Sequence, residues 1–219
     1  MRNSLADVVA AALRVLDAQG LENCSMRRVA AELDVQPSAL YHHVPNKQTL
    51  LALMADEIVL GVGPRTTAAV ELAAAGGPGA EADPALAHVA TPETVPAARR
   101  LCVDLREAML AVRDGADVVA TAAAFRLGRS RVEEALAGFV GSDGARTLLL
   151  FTFGHAQSTQ THRQAAALGA LVVPAGAGGA VPDPAHADPE QDLDASFGRG
   201  LDLIFAGLLA RDAAALAPR

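Results

Sequence analysis

The sequence predicts an all-α protein. Apolar residues recur at three- and four-residue spacing in segment after segment, and Ser, Asn and Gly stand where helix ends require them. Apart from a brief Val/Leu run, no stretch alternates with the period of two that a half-buried strand needs. Of the 219 residues, 51% are hydrophobic and 20% charged, which excludes low-hydrophobicity disorder for the chain as a whole and allows one large or two small cores.

Leu5, Val8, Val9, Ala12, Leu13 and Leu16 form the stripe of an amphipathic first helix, and Gly20 suits the position just past its end. Ser25 is a good N-cap for a short second helix over 26–33, with Val29 and Leu33 on its apolar edge. Asp34-Val35 makes a tight break. A third helix is expected over 36–43, with Pro37 in the first turn where its missing N–H does no harm, and Val44-Pro45 ends it. Asn46 can cap a fourth helix, whose Leu50, Leu51, Leu53, Met54 and Ile58 give a wide apolar face running to about Val62.

Glycines and prolines at 61–64 and 76–79 are breakers, leaving at best a short helix between them. After Pro96, the spacing of Leu101, Leu105, Ala108, Met109 and Val112 predicts a helix that Arg113-Asp114-Gly115 closes. An Ala-rich, weakly patterned helix is expected over 116–127. Ser130 with Glu133 reads as a capping box, followed by Val132, Leu136, Phe139 and Val140 on one face. A long segment runs from Asp143 to about Leu168, and 169–192 reads as a Pro- and Gly-rich loop. The final helix, from Asp194 to about Leu216, carries Phe197, Leu201, Ile204, Phe205, Leu208 and Leu209 at helical spacing.

Cys24 and Cys102 lie far apart and outside any metal-ligand spacing, which argues against a zinc or iron–sulfur site and against a disulfide scaffold. Cys24 reads as a small buried hydrophobe. The longest uncharged stretch, from Gln164 to Pro182, is broken by Pro174 and several glycines, and charges run through residues 1–20. No membrane span or signal peptide is therefore expected, and a soluble, cytoplasmic protein is. The net charge of −7 speaks against phosphate binding by the chain as a whole. Through Lys47, however, five basic residues balance five acids, so the acidity belongs to the remainder.

A short helix, a tight turn and a second short helix opening at Gln36 make a helix-turn-helix, whose second member can enter the major groove with its N-terminal side chains at base edges. The run from Ser25 to Leu51, above all Leu40-Tyr41-x-His43-Val44-x-Asn46-Lys47 with a Leu pair just after it, closely resembles the DNA-binding domain of the tetracycline-repressor (TetR) family. The resemblance implies domains over 1–48, binding DNA, and 49–219, binding a ligand and forming the dimer. Tyr41 and His43 can donate hydrogen bonds to phosphate oxygens while their rings pack on the domain. Lys47, in the first turn of helix four, can hold a phosphate together with the exposed N–H groups there. Arg27 matches a family position that reaches a base or the backbone, and Arg28 reads as solvated or paired with an acid. Gln36, Pro37, Ser38 and Ala39 open the recognition helix: Gln36 and Ser38 are candidates for base contact, and Ala39 for a thymine methyl.

Farther on, Met109 to Ala116 and Phe151-Thr152-Phe153-Gly154 resemble segments of the tetracycline repressors proper. In that register the family's histidine magnesium ligand falls on Val119, a nearby threonine on Ala122 and a later glutamate on Ser158, so the magnesium–tetracycline site is not preserved. What remains is an apolar cavity that Leu101, Leu105, Met109, Val119, Phe125 and Leu150 could line, suited to a hydrophobic effector. No cofactor or metal is expected. His155 and His162 share one helix face, where a metal pair, a pH sensor, pocket hydrogen bonding and a solvent or dimer surface all stay open. His88 and His186 fall in expected loops.

The function implied is a dimeric, ligand-responsive regulator, most simply a repressor, on a palindromic double-stranded DNA operator, with no membrane partner. Two alternatives stand beside it: an enzyme with an appended helix-turn-helix, and a ligand-free DNA-binding protein. The first lacks a phosphate-cradling Gly motif, a GxSxG elbow and a carboxylate pair on one helix face. The second fits poorly with an acidic, apolar-lined second domain.

Overall fold

The computed structural model describes residues 4–63, 89–125, 130–171 and 189–216, all in helices and the turns between them. The helices are α1 (Leu5–Gln19), α2 (Met26–Glu32), α3 (Pro37–Leu40), α4 (Lys47–Ile58), α5 (Val95–Leu110), α6 (Gly115–Phe125), α7 (Arg131–Ala167) and α8 (Pro189–Leu216). Three expectations fall outside the described residues: the short helix before Gly76, the positions of His88 and His186, and the loop over 172–188.

α1 begins on a full capping box, Ser4 accepting from the Asp7 amide while the Asp7 carboxylate accepts from the Ser4 amide, and ends at Gly20 with φ 76°. Ser25 caps α2 through the Arg28 amide, and Asp34 takes the left-handed conformation, φ 53°, between α2 and α3. α1, α2 and α3 pack together, and α4 rests on α1. Val8, Leu16, Val29, Leu40, Val44 and Leu50 seal the core between them.

α3 is shorter than its sequence suggests. After one turn the His43 amide reaches back three residues to the Leu40 carbonyl, so Tyr41 to His43 form a tight turn rather than more helix. α4 likewise stops at Ile58 instead of Val62. There the Leu60 amide takes the Glu57 carbonyl and the Val62 amide that of Val59, winding the chain into turns ahead of Gly63. α8 starts at Pro189, five residues before the expected Asp194, because a proline is tolerated at a helix start.

α4 packs against α6, α5 against α7, and α7 against α8. The two segments expected around Asp143 are one element bent at Gly141, whose φ of 73° interrupts the helix. A bend leaves carbonyls without helical partners. The Thr94 hydroxyl supplies one, donating to the Phe139 carbonyl at 2.9 Å. Of the capping box expected at Ser130, the half in which Ser130 accepts from the Glu133 amide is present.

Gly115, the first residue of α6, has no room for a side chain: a Cβ there would collide with the Met109 carbonyl oxygen. Backbone cannot retreat as a flexible side chain does. Gly115→Ala is expected to cost about 2–3 kcal/mol by overpacking, read as a lower urea midpoint; an unchanged midpoint would contradict this packing.

Candidate nucleic-acid interface and effector core

The recognition turn is anchored from behind and open in front. Leu40 and Val44 are buried, which fixes the orientation of α3, while Gln36, Ser38, Ala39, Tyr41 and His43 are exposed and Pro37 is half-buried. Gln36 occupies the N-cap position yet makes no side-chain cap bond, so its amide group is not committed to the helix end. Tyr41 is 53% exposed. This corrects the expectation that its ring packs on the domain, because the turn that ends α3 lifts it clear of the core. His42, which spacing arguments passed over, is exposed between Tyr41 and His43.

Lys47 is half-buried at the first position of α4. Asn46 Oδ1 accepts the Thr49 amide at 2.8 Å, leaving the first amides of the helix for an anion beside the Lys47 ammonium. Arg27 is exposed. Arg28 bonds Gln19 rather than an acid, and Arg14 is the base that pairs with one, Glu32, at 2.8 Å. Gln19 is neutral and leaves the Arg28 charge intact, so the positive charge of this surface comes from Arg27, Arg28 and Lys47.

A second arrangement, invisible to local spacing, joins this unit to the rest. The α5–α6 turn grips the C-terminal end of α1: Asp114 Oδ2 accepts the Leu21 amide at 2.7 Å, and Arg113 Nη1 donates to the Asp17 and Ala18 carbonyls at 2.9 and 3.4 Å. Carbonyls at a helix C-terminus lack intrahelical partners and favour a cation, so Arg113 meets both needs. The same turn is held from behind by α7. Gln164 Nε2 donates to Asp114 Oδ1 at 2.6 Å, and Gln160 donates to the Val112 carbonyl at 2.8 Å while accepting the Ala116 amide at 3.1 Å.

The expected ligand-lining residues divide. Leu105 and Val119, with Ala55 of α4, Val59 just past its end, and Leu149 and Phe153 of α7, line a pocket of about 40 Å³. Leu101 instead faces a cleft of about 860 Å³ with Ile58, Val62, Pro96 and Phe139, rimmed by Glu93, Arg100, Asp104 and Glu107. Met109 is wholly buried and lines neither space. Besides Met109, two more expected lining residues need correction: Phe125 is 65% exposed at the end of α6, and Leu150 is 62% exposed because the register of α7 turns its neighbour Leu149 inward. Ala122 also lines the small cavity, whereas Ser158 is exposed on α7.

Both cysteines are buried, and burial pushes the Cys102 thiol up to about 12. Among the described residues no group of three or more His, Cys, Asp and Glu could hold a metal, and no helix is long and apolar enough to cross a membrane.

A family model described as bacterial regulatory proteins, tetR family, matches residues 8–54. The chain is 55% identical over 51 residues to the HTH-type transcriptional repressor DrrR1 of Streptomyces coeruleorubidus, spanning 23% of this chain and 19% of that protein. It is 43% identical over 58 residues to the tetracycline repressor protein class E of Escherichia coli, spanning 26% and 28%. The chain thus covers less than a third of the length of these curated relatives. The likeness to solved structures runs much further. The crystal structure of Mycobacterium smegmatis BioQ is 30% identical with a TM-score of 0.69, covering 95% of this chain and 98% of that one. The chain belongs to the TetR family.

TetR-family membership places it among transcriptional regulators rather than enzymes. Two further structures show what similar chains hold. BioQ has been crystallised with its natural double-stranded DNA operator (28% identity, TM-score 0.65, 95% of this chain and 99% of that one). The TetR family protein ActR of Streptomyces coelicolor has been crystallised with (S)-DNPA (25% identity, TM-score 0.62, 96% and 98%).

Proposed function

We propose that this protein is a homodimeric transcriptional repressor of the cytoplasm, released from a palindromic DNA operator by a small hydrophobic effector. Residues 1–48 read DNA; residues 49–219 bind the effector and form the dimer. The observation that carries this reading is the recognition surface itself. Arg27, Gln36, Ser38, Ala39, Tyr41, His43 and Lys47 are displayed on a helix-turn-helix whose apolar residues are sealed behind it. Phosphate contacts from Tyr41, His43 and Lys47 set the register, and Gln36, Pro37, Ser38 and Ala39 meet base edges.

The second copy docks on the outer faces of α7 and α8. Phe197, Leu201, Phe205 and Leu208 of α8 do not make that contact, because they are consumed by the chain's own core. What stays outside is Leu150, Gly154, Ser158 and Thr161 on α7, with Leu203, Gly207 and Ala210 on α8. Small residues there let two copies approach closely.

An effector against Leu105 and Val119 must enlarge a space far below the roughly 300 Å³ that a ligand pocket needs, so binding separates α4, α5 and α6. Motion of α5 pulls on Arg113 and Asp114, and through them on α1. Ligand then lowers DNA affinity only as far as it prefers that displaced arrangement. Asp114→Ala leaves two N–H groups without their acceptor and is expected to cost about 2–3 kcal/mol in urea unfolding; a loss below about 0.5 kcal/mol would show that the turn does not tie the two units.

Fluorescence anisotropy tests the function directly. Purified protein is titrated into a duplex from its own upstream region and into a scrambled control, with salt varied. Tight binding to the first alone supports the proposal; equal, weak binding to both opposes it.

A further inference from the structure

Arg106 projects from α5 into the space between α7 and the start of α8 and is 7% exposed. A buried guanidinium needs compensation from several directions. Asp194 of α8 accepts from its Nη2 at 2.7 Å, Thr159 of α7 at 3.4 Å, and the Phe197 ring lies 5.0 Å from the guanidinium carbon. The remaining contact is to His155 of α7, whose Nδ1 lies 3.3 Å from Arg106 Nε.

That contact fixes the protonation state of the ring. Arginine has no acceptor, so Nδ1 must present its lone pair and neutral His155 carries its proton on Nε2. The Thr159 hydroxyl, also 3.3 Å from Nδ1, directs its proton to the His155 carbonyl at 2.8 Å. The imidazole is walled by Phe151 and Phe197, at centroid distances of 5.8 and 5.0 Å, and those two rings stack 5.5 Å apart. A proton added at Nδ1 would point one N–H at another and set two positive charges side by side.

We propose that His155, Arg106 and Asp194 form a proton-sensitive latch that seats the N-terminal half of α8 on the core. Neutral imidazole steers Arg106 onto Asp194. Protonation removes that hydrogen bond, repels the guanidinium and competes for the Asp194 carboxylate, so α8 loosens from its beginning. A second strap, Arg99 with Asp202 and the Gly198 carbonyl, holds the next turns of α8 and has no histidine in it. Loosening is therefore confined to the first turns.

Arg106 from α5 and Asp194 from α8 are the charged groups acting on His155 among the described residues. Burial first, then Arg106, hold its pKa below the ordinary histidine value; Asp194 and the Leu193 carbonyl oppose this without reversing it. The sign follows by linkage. A histidine whose folded pKa is depressed adds stability that is present above the unfolded value near 6.5 and is lost as pH falls through the folded one.

Two measurements on the full-length protein decide the matter. In an NMR titration of the wild type, His155 is expected as the Nε2–H tautomer with a midpoint below that of free histidine; a midpoint at or above it, or the Nδ1–H tautomer, overturns the proposal. Hydrogen exchange at the amides of residues 195–199, corrected for intrinsic rate, is then compared at pH 7.5 and 5.5. Protection is expected to fall severalfold in the wild type and to stay level in His155→Gln, which keeps an acceptor for Arg106 without titrating. An equal fall in both proteins overturns the latch. Should His155→Gln fail to fold, the wild-type titration still decides.

Discussion

Leu203→Asp is expected to give a folded monomer that binds its operator about a hundredfold more weakly, or worse. Leu203 is 76% exposed on α8, so a charge there disturbs little within one chain, where surface substitutions change stability by about 0.5 kcal/mol or less. Against a second copy the same carboxylate would be buried without a partner, together with its symmetry mate, since a two-fold interface repeats every contact. Losing the dimer separates the two recognition helices and with them the benefit of simultaneous engagement. Sedimentation would register the change of mass and anisotropy the loss of affinity. A Leu203→Asp protein that stays dimeric would place the interface elsewhere.

Tyr41→Ala and Lys47→Ala are each expected to weaken operator binding about tenfold or more, because a hydrogen bond to a charged group is worth roughly 1.5–3 kcal/mol. Neither change should unfold the domain, since Tyr41 lies outside the core that Leu40 and Val44 seal. The two differ in kind. Lys47→Ala should also reduce the salt slope by about one, whereas removing the neutral Tyr41 should leave that slope nearly unchanged. Sequence discrimination survives both, as phosphate contacts carry no base information. Unchanged affinity in both variants would mean that another surface meets the DNA.

Much of this architecture is legible where a local rule has nothing to compete with it. Ser25 and Asn46 cap their helices because each stands before an apolar run, and the spacing of Leu5 to Leu16 has only one helical solution. The errors have equally local causes. Nothing in Tyr41-His42-His43 forbids helix, yet the His43 and Val44 amides both turn back to the Leu40 carbonyl and close α3 early, a choice that residue spacing does not reveal. Leu148-Leu149-Leu150-Phe151 is apolar throughout and has no period, so its inward face cannot be chosen from spacing; Leu149 faces in and Leu150 out.

The residues proposed to contact DNA can be named as a set from the sequence because they lie within one short stretch and share a family pattern. The grip of Asp114 on α1 cannot, because its partners Leu21 and Gln164 lie 93 and 50 residues away in sequence. The Arg106 cluster was hidden for the same reason. Its members come from three helices, and His155 showed in the sequence only as a polar residue sharing a face with His162.

The most direct test of the central claim is the distance between the two recognition helices of one dimer on DNA. Glu22 is exposed and outside the proposed DNA contacts, while Cys24 and Cys102 are buried, so Glu22→Cys can be spin-labelled selectively, its offset from α3 being fixed within each helix-turn-helix. Double electron–electron resonance on the operator complex should give a separation near one helical turn, about 34–36 Å once that offset and the reach of the labels are taken into account, as two successive major grooves require. Absence of dipolar coupling, or a separation that matches no multiple of that turn, would contradict a dimer that reads a palindrome.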